Sequence, residues 1–564
     1  MGDNCRFRET ACIFALLGIA FSVDMPFGVG LRKVFRQIGY NERMAYVYFL
    51  TFVTGLVSLA VELAASRLLG AYFGSSNLVW ATIIGLILLY LTMGYFLGGR
   101  WADREPRLET LYRLAAWAGL TVALVPVAAR PVLYRAAAAF DTFQLGVLLG
   151  AFVAVVVLLI VPVTLLGMVS PFVIRIATKR TAEAGRVAGR VYAISTLGSF
   201  VGAFLPDLLL VPWIGTRRTF LLLGLVLTFT AWGGLWLRAR RRAWRYAWMP
   251  LTIVLLWLFW ASGPIKQTPD MIYETESAYN YIQVLEIDGY RLLRLNEGQG
   301  VHSVYHPERT AYYGTWMTFL AGPFFNTPPF APEKVRRVAV VGLAAGTVAR
   351  QATLAFGPVP IDGYEIDPKI LEVGRRYFGM GELTNLHAYA EDGRVGLRHS
   401  PYQYDLIVLD AYRPPYIPWH LTTREFFQLV SQHLTPQGVV AVNVGASGDD
   451  FRLANALAAT LHTVFPSVYA VRVPQTFNVI LYATAQPTKF ENLEANMTYL
   501  AQQEAASPLL LKALQMAARE QVFLNMDAGE VFTDDRAPVA LLTDRMVLRF
   551  VMSGDDSWHD GDTP

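Results

Sequence analysis

Cysteine is almost absent from this chain. Its 564 residues hold two, Cys5 and Cys12, both near the N-terminus. The remainder has no thiol, which excludes a disulfide framework and a cysteine metal site there. Charge is scarce too: 16% of residues are Asp, Glu, Lys or Arg and 54% are hydrophobic, whereas globular domains run at about a quarter charged. The scarcity is uneven. Up to about Ser262 the chain is dominated by long apolar runs, and after Pro264 it reads as an ordinary soluble domain. The formal net charge of +4 is small, and its Lys and Arg stand largely between the apolar runs. That is the pattern of membrane-orienting charge, so nucleic acid is not an expected partner.

A run of roughly 18 or more apolar residues is long enough to cross a bilayer. About seven such runs are present: Ala45–Leu69, Leu78–Gly99, Leu108–Ala128, Leu145–Val169, Val187–Val211, Thr219–Leu237 and Tyr246–Ala261. They define an α-helical multi-pass domain over 45–262, preceded by a segment 1–44. Within that segment Ala11–Phe21 is short and is followed by Asp24, Pro26 and Arg32. It is a signal-like segment, an extra helix, or sequence upstream of a true start at Met25 or Met44.

Loop charge sets the orientation. Arg100, Arg104 and Arg107 follow the second run; Arg175, Lys179, Arg180, Arg186 and Arg190 follow the fourth; Arg238, Arg240, Arg241, Arg242 and Arg245 follow the sixth. These loops are expected in the cytoplasm, and the uncharged loop Gly70–Asn77 outside. Seven crossings from an inside N-terminus put the C-terminal domain outside, unless the last run re-enters without crossing. Glu62 and Asp207 fall within apolar runs, where a carboxylate is either functional or held by an interhelical partner or a proton. Gly94 and Gly98, and Gly198 and Gly202, recur at a spacing that permits close helix packing.

The second half changes character. Tyr279–Ile287 and Tyr290–Leu295 are rich in β-formers and flank Asp288-Gly289, a strong hairpin signal. A small β-region is expected over 270–335. A Rossmann-like α/β domain then runs over 336–545, with a tail at 546–564. Its predicted elements alternate: strands at Arg337–Val341, Ile361–Ile366, Leu386–Ala390, Asp405–Leu409 and Val439–Val444, and helices at Thr347–Phe356, Pro368–Tyr377 and Thr422–His433. Such alternation implies a parallel, doubly wound sheet.

In such sheets ligands bind at the C-terminal strand ends. Gly342 and Gly346, between a strand and a helix, let the backbone turn and approach a ligand, and the helix offers free N–H groups. About twenty residues on, Glu365 ends the next strand, where a carboxylate accepts from ribose hydroxyls. Asp392 either accepts from a purine amine or forms the turn before Gly393. Asp410 ends the fourth strand, placed either to deprotonate an amine nucleophile or to serve structure.

These pieces together resemble the spermidine synthases, the polyamine aminopropyltransferases, and the whole layout resembles their membrane-fused relatives. The match rests on Glu276-Ser277-Ala278-Tyr279, the glycine turn, Tyr364-Glu365-Ile366-Asp367, Glu391-Asp392-Gly393, Tyr404-Asp405-Leu406-Ile407 with Asp410, and Thr533-Asp534-Asp535-Arg536-Ala537-Pro538. In the first half Val61-Glu62-Leu63 also matches. Gly98-Gly99-Arg100-Trp101-Ala102-Asp103-Arg104 looks like the cytoplasmic loop motif of major facilitator transporters. The resemblance implies a multi-pass protein of the cell membrane that uses decarboxylated S-adenosylmethionine and no metal. Glu365 would hold the ribose, Asp392 the adenine, Gly342 and Gly346 would line the methionine-derived part, Asp367 would be a further cofactor-binding residue, and Asp410 would be the base. Tyr279, Gln299, His302 and Tyr312 would line the place of a small amine such as putrescine. The expected partners are that amine and the lipid bilayer, with a homodimer left open.

This chain departs from the family in three places. A second acid near Asp410 is replaced by Arg413. The Tyr-His-Glu that anchors the diamine appears as Tyr312-Tyr313-Gly314. The glycine turn lacks its acid, reading Leu343-Ala344-Ala345. A buried dication needs carboxylates at both ends, so these changes point to an altered substrate and admit ordinary S-adenosylmethionine. Two competing readings follow: an S-adenosylmethionine-dependent methyltransferase, and a non-catalytic transporter or sensor binding a nucleoside or polyamine.

Overall fold

A computed structural model describes residues 42–553 except 74–76, 144–146, 267, 297–299, 412–416, 449 and 504–506. The Ala11–Phe21 run, both cysteines, Gln299 and Arg413 therefore lie outside the described residues.

The first half is helical. It comprises α1 (Glu42–Phe73), α2 (Asn77–Arg104), α3 (Leu108–Phe143), α4 (Val147–Ala177) and α5 (Ala184–Leu205). A π-helical turn, Pro206–Leu210, leads on into α6 (Val211–Arg238). Five segments are long and apolar enough to cross a membrane: Met44–Tyr72, Trp80–Arg104, Leu108–Leu133, Phe152–Ala177 and Thr181–Arg238. The last holds both the fifth and the sixth apolar runs, with its backbone broken at Gly215 (φ 80°, ψ 162°). The seventh run forms α7 (Trp248–Phe259), 12 residues, preceded by a helical turn at Arg240–Ala243 and a 3-10 turn at Trp244–Tyr246. The residues before it are drawn back onto α6. Trp232 Nε1 donates to Ala243 O at 3.1 Å, and Trp236 packs on Trp244.

Small residues join these helices. A Cβ on Gly94 would lie 2.4 Å from Thr164 O, and one on Gly98 2.6 Å from Met168 Cα, so α2 and α4 touch backbone to backbone. Gly198 and Gly202 do the same for α5 against Phe52 and Leu56 of α1. The two ends of the bundle differ chemically. At one end the basic loops close on acids, through Arg175–Asp103 at 2.9 Å and Arg242–Glu109 at 2.5 Å. The other end meets the second half of the chain. Tyr72 Oη donates to Ile265 O at 2.7 Å, Arg217 donates to Gly263 O, and Thr216 N donates to Glu276 Oε2 at 2.7 Å.

The second half opens with an antiparallel sheet of β1 (Met271–Glu276), β2 (Tyr281–Ile287), β3 (Tyr290–Leu295) and β4 (Val301–Tyr305), paired in chain order. The expected hairpin is formed: Asp288 and Gly289 have φ of 50° and 83°, the left-handed pair of a tight two-residue turn. Beyond it lie β5 (Val338–Val341), α8 (Thr347–Phe356), β6 (Ile361–Glu365), α9 (Pro368–Tyr377), β7 (Leu386–Ala390), α10 (Gly393–His399), β8 (Tyr404–Leu409), α11 (Arg424–Gln432) and β9 (Leu434–Gly445). They are followed by α12 (Arg452–His462), β10 (Ser467–Arg472), β11 (Asn478–Thr484) and β12 (Gln521–Val522).

The eight-stranded sheet runs β12-β10-β11-β9-β8-β5-β6-β7. The strands from β9 to β7 are parallel, and β11 joins antiparallel to β9. Side chains alternate between its two faces. Val338, Val340, Leu406 and Val408 pack toward Ala349 and Ala352 of α8, while Ala339, Val341, Ile407 and Leu409 pack toward Phe426 and Phe427 of α11. The chain moves outward from β5 in one direction and then returns to start β8 on its other side. The strand order therefore reverses at β5, and the C-terminal ends of β5, β6 and β8 flank that switch point.

Candidate active site

Three strand ends converge there. After β5 the chain turns through Gly342 (φ 87°), Ala344 (φ 48°) and Gly346 (φ 91°). Gly342 is required twice over. Its φ is left-handed, and a Cβ would stand 2.5 Å from the carbonyl carbon and oxygen of Asp410 and from Ala411 N. The turn and the end of β8 are thus in direct backbone contact. Gly346 is the N-cap residue of α8. β4 supports the turn from outside, with Ser303 Oγ accepting from Ala345 N at 2.9 Å and Thr347 Oγ1 donating to Val304 O at 3.0 Å.

Glu365 ends β6 as a buried carboxylate. Its Oε2 accepts from Ala344 N at 3.0 Å and its Oε1 from Asp367 N at 3.1 Å. Burial pushes its pKa up to about 7, against the pull of those hydrogen bonds. Asp367 is fully buried. One carboxylate oxygen caps α9 by accepting from Lys369 N; the other accepts from Ser277 Oγ at 2.6 Å and Asn280 Nδ2 at 3.0 Å. The loop between β1 and β2, which carries Tyr279, is thereby tied to the acid two residues beyond Glu365. Tyr279 itself is 44% exposed.

Asp392 is the N-cap of α10, accepting from Arg394 N and Val395 N, and its second oxygen stands 2.9 Å from His420 Nε2. The His420 contact, foremost, holds its carboxyl below the usual range. Asp392 therefore shapes the turn before Gly393, with Oδ2 engaged by His420. The neighbouring Arg394 forms a paired contact with Asp534 at 2.8 and 2.6 Å, and Thr423 donates to the same carboxylate. The Thr533–Pro538 motif thus locks α10 to α11.

Asp410 follows β8. Burial raises its carboxyl to about 7, and a hydrogen bond from Asn443 Nδ2 at 2.9 Å opposes the shift. Asn443, on β9, is itself buried, and its Oδ1 has no hydrogen-bond partner among the described residues. The sequence reading passed over Asn443, although it is the one polar residue in Val439–Val444. It also passed over His420 and Asn280.

Of the expected acceptor-side residues, Tyr279, His302 and Tyr312 are among the described residues. Tyr312 is buried among Leu285, Leu292 and Val304, and its hydroxyl is engaged by the backbone of His306. His302 lies on β4, next to the Ser303 that supports the turn. Gly342, Gly346, Glu365, Asp367 and Asp410, by contrast, are linked directly or through one residue.

A parallel sheet with this order, a glycine turn after its first strand, and acids after its second, third and fourth strands is the α/β fold of the S-adenosylmethionine-dependent methyltransferases. Residues 324–494 match the family model described as the spermine/spermidine synthase domain. A probable polyamine aminopropyl transferase of Bifidobacterium longum is 31% identical over 291 residues, 48% of this chain and 62% of that protein. A polyamine aminopropyltransferase of Vibrio vulnificus is 30% identical over 213 residues, 36% of this chain and 68% of that protein. The human eEF1A lysine and N-terminal methyltransferase is 29% identical over 192 residues, 32% of this chain and 25% of that protein. The chain belongs to the spermine/spermidine synthase family of transferases.

Proposed function

We propose that the protein is a membrane-anchored aminopropyltransferase, moving the aminopropyl group of decarboxylated S-adenosylmethionine onto a small amine. The observation that carries this reading is Asp410: a carboxyl raised to about 7, on the central strand end and against the backbone of the glycine turn. Such a group is half ionised near neutrality and able to take a proton. The donor is a cation, and the acids Glu365, Asp392 and Asp410 around the turn suit it. Glu365 holds the ribose hydroxyls, Asp392 with His420 the adenine amine. Asp410 takes the proton of the attacking ammonium. The freed amine forms a bond to the carbon beside the sulfonium as that carbon–sulfur bond breaks, and the leaving group is neutral methylthioadenosine. No negative charge develops on the leaving group, so the residues act by positioning and by proton removal.

The test is formation of methylthioadenosine from decarboxylated S-adenosylmethionine and putrescine by the purified protein. No product above an Asp410→Asn control overturns the reading. A second reading, methyl transfer, is favoured by Leu343-Ala344-Ala345, which brings no carboxylate to the turn and so admits the carboxylate of ordinary S-adenosylmethionine. Formation of S-adenosylhomocysteine would establish it.

The helical half is read as the anchor, with its basic end in the cytoplasm. Arg100, Arg104, Arg175, Arg238 and Arg242 lie at the end remote from the contacts that Tyr72, Thr216 and Arg217 make with the second half. By the positive-inside rule the sheet domain then lies on the opposite side of the membrane. Single cysteines placed in the sheet domain should react with an impermeant maleimide in intact cells; protection there, with labelling in the basic loops, reverses the orientation.

A further inference from the structure

We propose that the helical half is a working part of the donor site, acting through Glu276 as a positioning residue. The inference rests on the transferase reading above. The backbone of α6 breaks at Gly215, and the freed N–H of Thr216 and its hydroxyl both bind the Glu276 carboxylate. A Cβ at Gly215 would stand 3.1 Å from Glu276 Oε2, so the break is shaped to this acid. A second grip lies beside it. Asp207, in the π-helical turn, holds Arg67 of α1 at 2.7 Å, and Arg67 donates to Ala278 O. The tetrapeptide Glu276–Tyr279 is therefore held at two points by three helical segments.

The same loop holds the pocket from its other side. Ser277 Oγ and Asn280 Nδ2 donate to Asp367 Oδ2, Asp367 N donates to Glu365 Oε1, and Glu365 Oε2 accepts from Ala344 N. Hydrogen bonds, with the peptide link between Glu276 and Ser277, thus connect the helix break to the glycine turn by way of Asp367 and Glu365. A π-helical turn and a mid-helix break are irregularities that an inert anchor does not need. Here both face the loop that bears Tyr279.

The consequence is kinetic. Loosening the grip should release the loop and weaken donor binding, while leaving the Asp410 base and the chemical step in place. The full-length protein in nanodiscs would be assayed with decarboxylated S-adenosylmethionine at saturating amine. Thr216→Val and Glu276→Gln should each raise the donor KM about tenfold, the loss expected for a hydrogen bond to a charged group, with kcat within about twofold. Glu276→Asp should recover part of the loss. Arg242→Gln, which breaks an ion pair at the opposite end of the bundle, should leave the donor KM unchanged.

Methylthioadenosine binding to the same variants, by calorimetry, separates this idea from the transferase reading. Weakened binding in Thr216→Val supports the positioning role even if no transfer is seen. If Glu276→Gln lowers the melting temperature, Thr216→Val, which keeps the acid, decides the matter. Unchanged donor KM and unchanged methylthioadenosine binding in Thr216→Val would overturn the proposal, as would an equal rise in KM from Arg242→Gln.

Discussion

In the helical half Phe96, Phe200 and Trp213 are 67%, 63% and 78% exposed, and small residues fill the helix contacts. In the sheet half Phe324, Phe325, Phe426 and Phe427 are fully buried, and the strands carry Val, Ile, Leu and Ala on both faces. Burial of large apolar groups drives the second arrangement in water. It drives nothing in the first if the surroundings are themselves apolar; there, close backbone approach has to hold the helices together. The same inventory of residues thus builds two cores of opposite sense, and each is vulnerable to a different substitution.

The largest effect should come from the sheet half. Asp410→Asn is expected to lower kcat by about 10²–10⁴, the usual worth of a general base, with donor binding retained by calorimetry. Next, Gly342→Ala places a side chain on a left-handed backbone and into Asp410; a destabilisation of about 2 kcal/mol or more is expected, read as a fall in melting temperature together with lost transfer. Gly198→Leu should be its counterpart in the helical half: a large side chain driven into α1, separating the helices and lowering the yield of folded protein in mild detergent. If Gly198→Leu is tolerated while Gly342→Ala is not, the contrast between the two cores fails.

The pH dependence sharpens the comparison further. Asp410 and Glu365 are raised to about 7 in the fold, above the usual carboxylate value of roughly 4. The folded state therefore binds protons that the unfolded chain has already lost. Their stabilising contribution is complete at low pH and disappears as pH rises from about 4 through 7. Transfer has the opposite slope, rising through pH 7 as Asp410 ionises. Asn443→Leu removes the donor that favours the ionised form, so the activity limb should move to higher pH. A limb that stays in place would remove Asn443 from the account. The smallest effect is expected from Asp534→Asn. The Arg394 pair is partly exposed and worth at most about 1 kcal/mol. Asp534 is depressed to about 2, so that contribution is present above about pH 4 and fades as pH falls toward 2.

Much of this was legible in the sequence because the signals are local. Strand–turn–helix at Val341–Thr347, the Asp288-Gly289 hairpin and the acids at successive strand ends all follow from short-range chemistry. What was not legible depends on contacts distant in the chain. The resemblance alone suggests Tyr312 as a substrate contact; that its hydroxyl meets the His306 backbone and its ring the Leu285, Leu292 and Val304 cluster depends on strand pairing. Asn443 becomes relevant only because β9 lies beside β8. The contacts that Trp244, Arg240 and Ala243 make with Trp232 and Trp236 of α6 join residues whose pairing no local pattern announces. Asp207 posed an open choice between function and an interhelical partner, and its partner is Arg67.

The break at Gly215 bears on how separable the two halves are. Severing the chain after Ser262 would strip Glu276 of both Thr216 hydrogen bonds and Ala278 of the Arg67 contact. It would leave Glu276 without the partners that hold it in the intact chain. The excised sheet domain would keep its own core, since the clusters that form it draw on no residue before Met271. It should therefore fold and yet bind donor poorly: a soluble fragment with the architecture of its relatives and a missing wall.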